Sequence, residues 1–125
     1  LNRTNNGCTK RTKGETMNLN VLDIGGYVAK QDDRYVVKDN SFGNTLVLSS
    51  TLLHARKETS GHKHDGQEEV YFFISGKGKM ELDDQLIDVK QGDVIPIHDG
   101  VFHKVYNNTD EDLYFVCVFD GKRKH

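Results

Sequence analysis

From Thr45 onward the chain is a succession of short apolar runs, each closed by a turn signal. The runs are Thr45–His54, Val70–Ile74, Gly78–Leu82, Gln85–Val89, Val94–Ile97, Val101–Tyr106 and Leu113–Phe119. Ser75-Gly76, Asp83-Asp84, Gln91-Gly92-Asp93, Asp99-Gly100 and Asn107-Asn108-Thr109-Asp110 separate them. No long segment repeats its apolar residues every 3.6 positions, the period of a helix with one buried face. Short strands at close spacing, punctuated by Gly and Asp, predict a sandwich or barrel. The expected class is all-β, and a double-sheet jelly roll is the natural architecture.

The first third is less regular. Residues 1–16 are polar and lack a hydrophobic period, which predicts a flexible tail. Alternation begins at Met17 in MNLNVLDI, a candidate natural start. Gly25-Gly26 reads as a turn or bulge. Asp39-Asn40-Ser41 and Gly43-Asn44 read as turns bracketing Phe42. The expected organisation is a tail over 1–16, one β-barrel domain over 17–121 and a basic tail over 122–125. One domain suits a chain of 125 residues.

Composition narrows the function classes. Apolar content is only 35%, but six Phe and five Tyr gathered in strand-like runs argue against disorder. The apolar stretches are too short to span a bilayer, so no membrane role is expected. The N-terminus lacks the apolar region of a secretory signal, and Cys8 and Cys117 make no disulfide framework. A cytoplasmic home follows as the default. The net charge is −2, with basic ends and an acidic body. An acidic body does not suit a nucleic-acid surface, so no nucleic-acid partner is expected.

The chemistry concentrates in GHKHDGQEEVYFFISG (61–76) and GDVIPIHDGVFHKVYN (92–107). His62, His64, Glu69 and His103 supply three imidazoles and one carboxylate, a donor set for one borderline divalent ion: Fe, Mn, Ni, Co, Cu or Zn. In extended backbone, residues i and i+2 share a face, so His62 and His64 point the same way, about 7 Å apart along the strand. Glu68 competes with Glu69 for the carboxylate position, and alternation sends the two to opposite faces.

These stretches resemble the paired motifs of the cupin superfamily. The first motif, G-x5-H-x-H-x3/4-E-x6-G, is matched by His62, His64, Glu69 and Gly76, with Arg56 at the leading Gly position. The second, G-x5-P-x-G-x2-H-x3-N, is matched by Gly92, Gly100, His103 and Asn107, with His98 at the Pro position and a Pro at 96. The resemblance implies a double-stranded β-helix barrel in which His62, His64, Glu69 and His103 hold one metal. The motif spacing to Gly76 selects Glu69 over Glu68.

Alternation also suggests the barrel lining. Tyr71 and Phe73 share a face with Glu69, and Val101 and Val105 share one with His103. Thr51, Leu53 and His54 end a neighbouring strand. The likeness to small single-domain cupins leaves several functions open for a small-molecule substrate or ligand. One is a metal-dependent enzyme on a small oxygenated metabolite, such as a sugar-phosphate isomerase. Its candidate acid–base groups are Tyr71, His98 and His54, and its candidate cations are Arg56, Lys38 and Lys104. A metal-dependent dioxygenase is the second and a non-catalytic binding cupin the third. His98 is read either as an exposed turn residue or as an acid–base group at the barrel mouth. Val70, Phe72 and Ile74 would face outward with Tyr114, Val116 and Val118, and that apolar face predicts a homodimer.

Overall fold

A computed structural model describes residues 17–42 and 44–121. The expected tails, 1–16 and 122–125, lie outside the described residues, as do Cys8 and Gly43. Nine strands form: β1 (Tyr27–Gln31), β2 (Tyr35–Ser41), β3 (Leu46–Leu53), β4 (Glu69–Ser75), β5 (Lys77–Leu82), β6 (Gln85–Lys90), β7 (Val94–Ile97), β8 (His103–Tyr106) and β9 (Leu113–Asp120). No helix is present among the described residues, and so none that is long and apolar enough to cross a membrane.

The strands make two antiparallel sheets, one ordered β1-β2-β3-β9-β4-β7 and the other β6-β5-β8. This is the expected double-sheet jelly roll. Strands β3 to β9 fall within a few residues of the runs predicted for them. Their inner faces close on a core of Leu53, Phe73, Met80, Val89, Val105 and Leu113, each at most 2% exposed. Burying one such side chain stabilises the fold by about 1.5–3 kcal/mol. Phe73 and Val105 are therefore core residues, with Val101 packed partly buried against them.

The start of the chain differs from expectation. Asp39, Asn40 and Ser41 are not a turn but the end of β2, paired with Ser49, Leu48 and Val47 of β3. Turn-forming residues sit in this strand because their side chains have strand-specific partners. Asn40 is 1% exposed and its Nδ2 donates to Ile24 O at 2.8 Å. Residues 17–24, which alternate like a strand, pair with no other strand. A single local bridge joins Asn20 to Asp23, with Asp23 N–H donating to Asn20 O at 3.0 Å and Leu22 N–H donating to Asn20 Oδ1 at 2.8 Å.

Backbone conformation explains the spaced glycines. Gly76, Gly92 and Gly100 have φ of 90°, 95° and 81°, where a Cβ is disfavoured. A Cβ on Gly76 would also stand 2.6 Å from Asp112 O. Arg56, at the remaining glycine position of the motif, has φ of 67°. The conformation is kept although the glycine is not. The Arg56 side chain is drawn to the 108–110 loop, with Nε on Asp110 Oδ1 at 2.8 Å and Nη1 on Asn108 O at 3.0 Å.

Candidate metal centre

The segment between β3 and β4 carries His62 and His64. It is not a regular strand, but it is tied like one to the start of β8. His62 N–H donates to His103 O at 3.0 Å, and His103 N–H donates back to His62 O at 2.9 Å. Gly100 N–H donates to His64 O at 3.0 Å, and Gly66 N–H to Asp99 Oδ1 at 2.6 Å. Those bonds bring two distant stretches of sequence into one cluster. The ring centroids of His62 lie 4.6 Å from both His64 and His103, and those of His64 and His103 lie 6.1 Å apart.

Glu69 opens β4 with its side chain inward at 6% exposure, while Glu68 is exposed. One donor atom each from His62, His64 and Glu69 falls within 4.8 Å of the others. His103 joins through Glu69, its Nε2 lying 3.2 Å from Glu69 Oε2. The Nδ1 of His103 faces Val101 O at 3.0 Å, so a proton on Nδ1 leaves Nε2 aimed at the carboxylate. Nε2 is buried and has no aligned hydrogen-bond partner. A buried nitrogen of that kind beside two imidazoles and a carboxylate is a donor set that fits a divalent cation.

The electrostatics agree. Burial works against the Glu69 carboxylate, yet the facing His103 and then His64 and His62 outweigh it and lower its pKa. Burial works against protonated His103, but the Glu69 carboxylate and the Val101 carbonyl outweigh it and raise its pKa. His62 is partly exposed, but packing around its ring, followed by His103 and His64, lowers its pKa to about 4. Glu69 and His103 thus favour each other's charged forms, while burial favours neutral His62.

The cluster forms one wall of a cavity of about 290 Å³, just below the range of ~300–1,000 Å³ usual for ligand pockets. Tyr71 lines it, its ring stacked at 5.4 Å on Phe115 and edge-on at 5.8 Å to His103. Burial, then Cys117 and Glu69, pushes its phenol pKa well above the usual value, so Tyr71 can donate a proton but does not rest as a phenolate at neutral pH. Thr51 lines the cavity as well; Phe73, Val101 and Val105 are not among the lining residues. Larger hollows lie on the surface, such as one beside Lys79 and Asp88, but those two side chains neutralise each other at 2.6 Å.

Two of the three candidate acid–base groups are not brought to this wall. His54 lies outside the lining, with Nδ1 3.6 Å from Asp112 Oδ1. His98 is exposed at the turn after β7, where its carbonyl accepts from Val101 N–H at 3.2 Å. Nor do the candidate cations reach it. Arg56 pairs with Asp110, Lys104 with Glu58 at 2.8 Å, and Lys38 borders a separate hollow with Leu22 and Tyr114. Instead the cavity holds Lys30, Asp39, Ser49 and Cys117, which the sequence reading did not assign to it. The usable signal was the alternation Tyr35, Val37, Asp39, masked by the turn-like composition of 39–41. Cys117 is buried as expected, and burial, with Glu69 and Asp39 nearby, raises its pKa well above the usual thiol value.

The last matched motif residue, Asn107, holds the scaffold. It is 2% exposed, and its Nδ2 faces Leu53 O, His54 O and Glu111 O at 3.1, 3.2 and 2.7 Å. Its Oδ1 accepts from Thr109 N–H and Oγ1.

The family model for the Cupin domain matches residues 51–119, and the chain belongs to that family. An uncharacterized protein of Methanocaldococcus jannaschii is 31% identical, over 66% of this chain and 75% of its own length. The oxalate-binding protein of Thermotoga maritima is 33% identical over 46% of this chain; the match spans 47% of that protein. Among solved structures, an uncharacterized conserved protein with a double-stranded β-helix domain from Klebsiella pneumoniae superposes with a TM-score of 0.75 at 21% identity. That match covers 88% of this chain and 95% of the other.

Proposed function

We propose that this chain is a metal-dependent cupin acting on a small oxygenated metabolite, with one divalent ion held by His62, His64, Glu69 and His103. The observation that carries this reading is the convergence of those four side chains on a cavity of about 290 Å³. A bound ion of this class supplies Lewis acidity or, when redox-active, oxygen activation. The chain's own residues supply the rest. His103 is oriented by Val101 O at 3.0 Å, Tyr71 keeps a phenol proton beside it, and Phe115 and Phe119 help exclude water. Among the described residues Lys30 is the one cation lining the cavity, so isomerisation of a sugar phosphate would rest on it rather than on Arg56, Lys38 or Lys104.

A second reading is a binding protein without turnover. The oxalate-binding relative favours it, and so does the absence of His54 and His98 from the cavity lining. Protein loaded separately with Mn, Fe, Ni and Zn would be incubated with small carboxylic and hydroxy acids and followed by proton NMR, with dissolved oxygen recorded. Substrate loss that disappears in Glu69→Gln supports an enzyme. Saturable binding with no loss under any metal supports the binding protein. A homodimer also remains proposed, and light scattering showing a monomer at micromolar concentration would refute it.

A further inference from the structure

The cavity carries further polar groups besides the metal centre. Among the described residues β1 is an edge strand of the larger sheet, and its register slips between Val28 and Lys30. Such a bulge inserts a residue and re-aims the side chains after it. Here Ala29 and Lys30 both line the cavity. Lys30 makes no ion pair with any described residue, and it lines the cavity together with His62. Deeper in, register places Tyr71 opposite Cys117, Cys117 opposite Ser49 and Ser49 opposite Asp39, a polar row across four strands. The row continues from Asp39 to Tyr27 of β1, and Asp39 Oδ1 is buried without a hydrogen-bond partner. A buried acceptor with no partner is costly unless a ligand or water completes it.

We propose that the cavity takes a small hydroxy acid, with its carboxylate paired to the Lys30 ammonium on the His62 side and its hydroxyl donating to Asp39 Oδ1. This deepens the reading of the metal centre as a ligand site and rests on it. A cation on one side and an unsatisfied acceptor on the other favour a ligand carrying both groups over a plain acid. The cavity volume of about 290 Å³ suits a small molecule. Asp39 also disfavours a second carboxylate at the inner end, because two anionic groups there would repel.

The test measures dissociation constants of 4-hydroxybutyrate and butyrate by ligand-observed NMR on zinc-loaded and on metal-free protein. Placing the hydroxyl far from the carboxylate avoids a preference that arises from chelating the metal. The native protein should prefer 4-hydroxybutyrate by about tenfold, the scale of a hydrogen bond at a buried polar group. Asp39→Leu should abolish that preference. Lys30→Met should weaken both ligands alike, and zinc content should be unchanged in both variants. Should Asp39→Leu fail to fold, Asp39→Val asks the same question, since valine also removes the acceptor and suits a strand. Equal affinities in the native protein, a preference that survives at position 39, or no saturable binding of either acid would overturn the proposal. The preference in a protein that takes up no metal would leave this subsite standing and refute the metal centre; metal uptake without the preference would do the reverse.

Discussion

His103 Nε2 stands 3.2 Å from Glu69 Oε2, with both side chains buried, at 3% and 6% exposure. The two come from strands in different sheets. The Glu69 carboxylate raises the His103 pKa, and His103 in turn lowers that of Glu69. A divalent ion held here would compete with protons for the same groups.

Metal uptake should therefore compete with protons and weaken as pH falls. His103 has a raised pKa, so its charged pairing with Glu69 stabilises the metal-free fold below the unfolded value of roughly 6.5. That contribution is lost as pH rises through the folded pKa. His62 acts oppositely. Its pKa is lowered to about 4, so the fold loses stability as pH falls from the unfolded value toward about 4. Zinc titration by calorimetry across the pH range around the unfolded histidine value should show affinity rising with pH. A flat profile would show that no proton is displaced.

Glu68→Ala should leave metal content near that of the native protein, while Glu69→Ala should remove most of it. Glu68 is exposed and Glu69 faces the cluster. Equal losses in elemental analysis of the two variants would mean that the carboxylate position is shared.

Asn107→Ala should cost roughly 2–4 kcal/mol, because three carbonyls lose their donor at once. Urea denaturation reads the change directly. A cost under about 0.5 kcal/mol, the usual range for a surface substitution, would rule out the scaffold role.

Arg56→Gly should melt at the same temperature as the native chain or higher, and Arg56→Ala lower. Glycine relieves the left-handed conformation at φ 67°, whereas alanine keeps the strain and loses the contacts to Asp110 and Asn108. Calorimetric melting of the pair gives the order, and alanine melting above glycine would contradict it.

His98→Pro should keep metal and ligand binding. His98 is exposed on its turn and lies outside the cavity lining. A hundredfold fall in turnover on an identified substrate would restore it as an acid–base residue.

The second half of the barrel was legible in the sequence because its strands have clean turn signals and one buried face. The motif spacing to Gly76 separated Glu69 from Glu68, and the strand from Glu69 to Phe73 is alternately buried and half-buried as alternation requires. The edge region was not legible. Asp39, Asn40 and Ser41 look like a turn because composition reports local preference, whereas the pairing with β3 and the Asn40–Ile24 bond are tertiary. Residues 17–24 failed in the other direction, since alternation alone does not supply a strand to pair with. The cavity wall at Lys30 was hidden for both reasons, and a bulge set its direction.

The most direct test of the four-residue centre is elemental analysis of protein purified without a chelator or a nickel column. The native chain should carry about one divalent ion, as a single three-imidazole, one-carboxylate site requires. His62→Ala and His103→Ala should lose most of it while keeping the β-sheet circular dichroism of the native fold. Full metal content in both variants, or none in the native protein after incubation with Mn, Fe, Ni, Co, Cu and Zn in turn, would contradict the assignment.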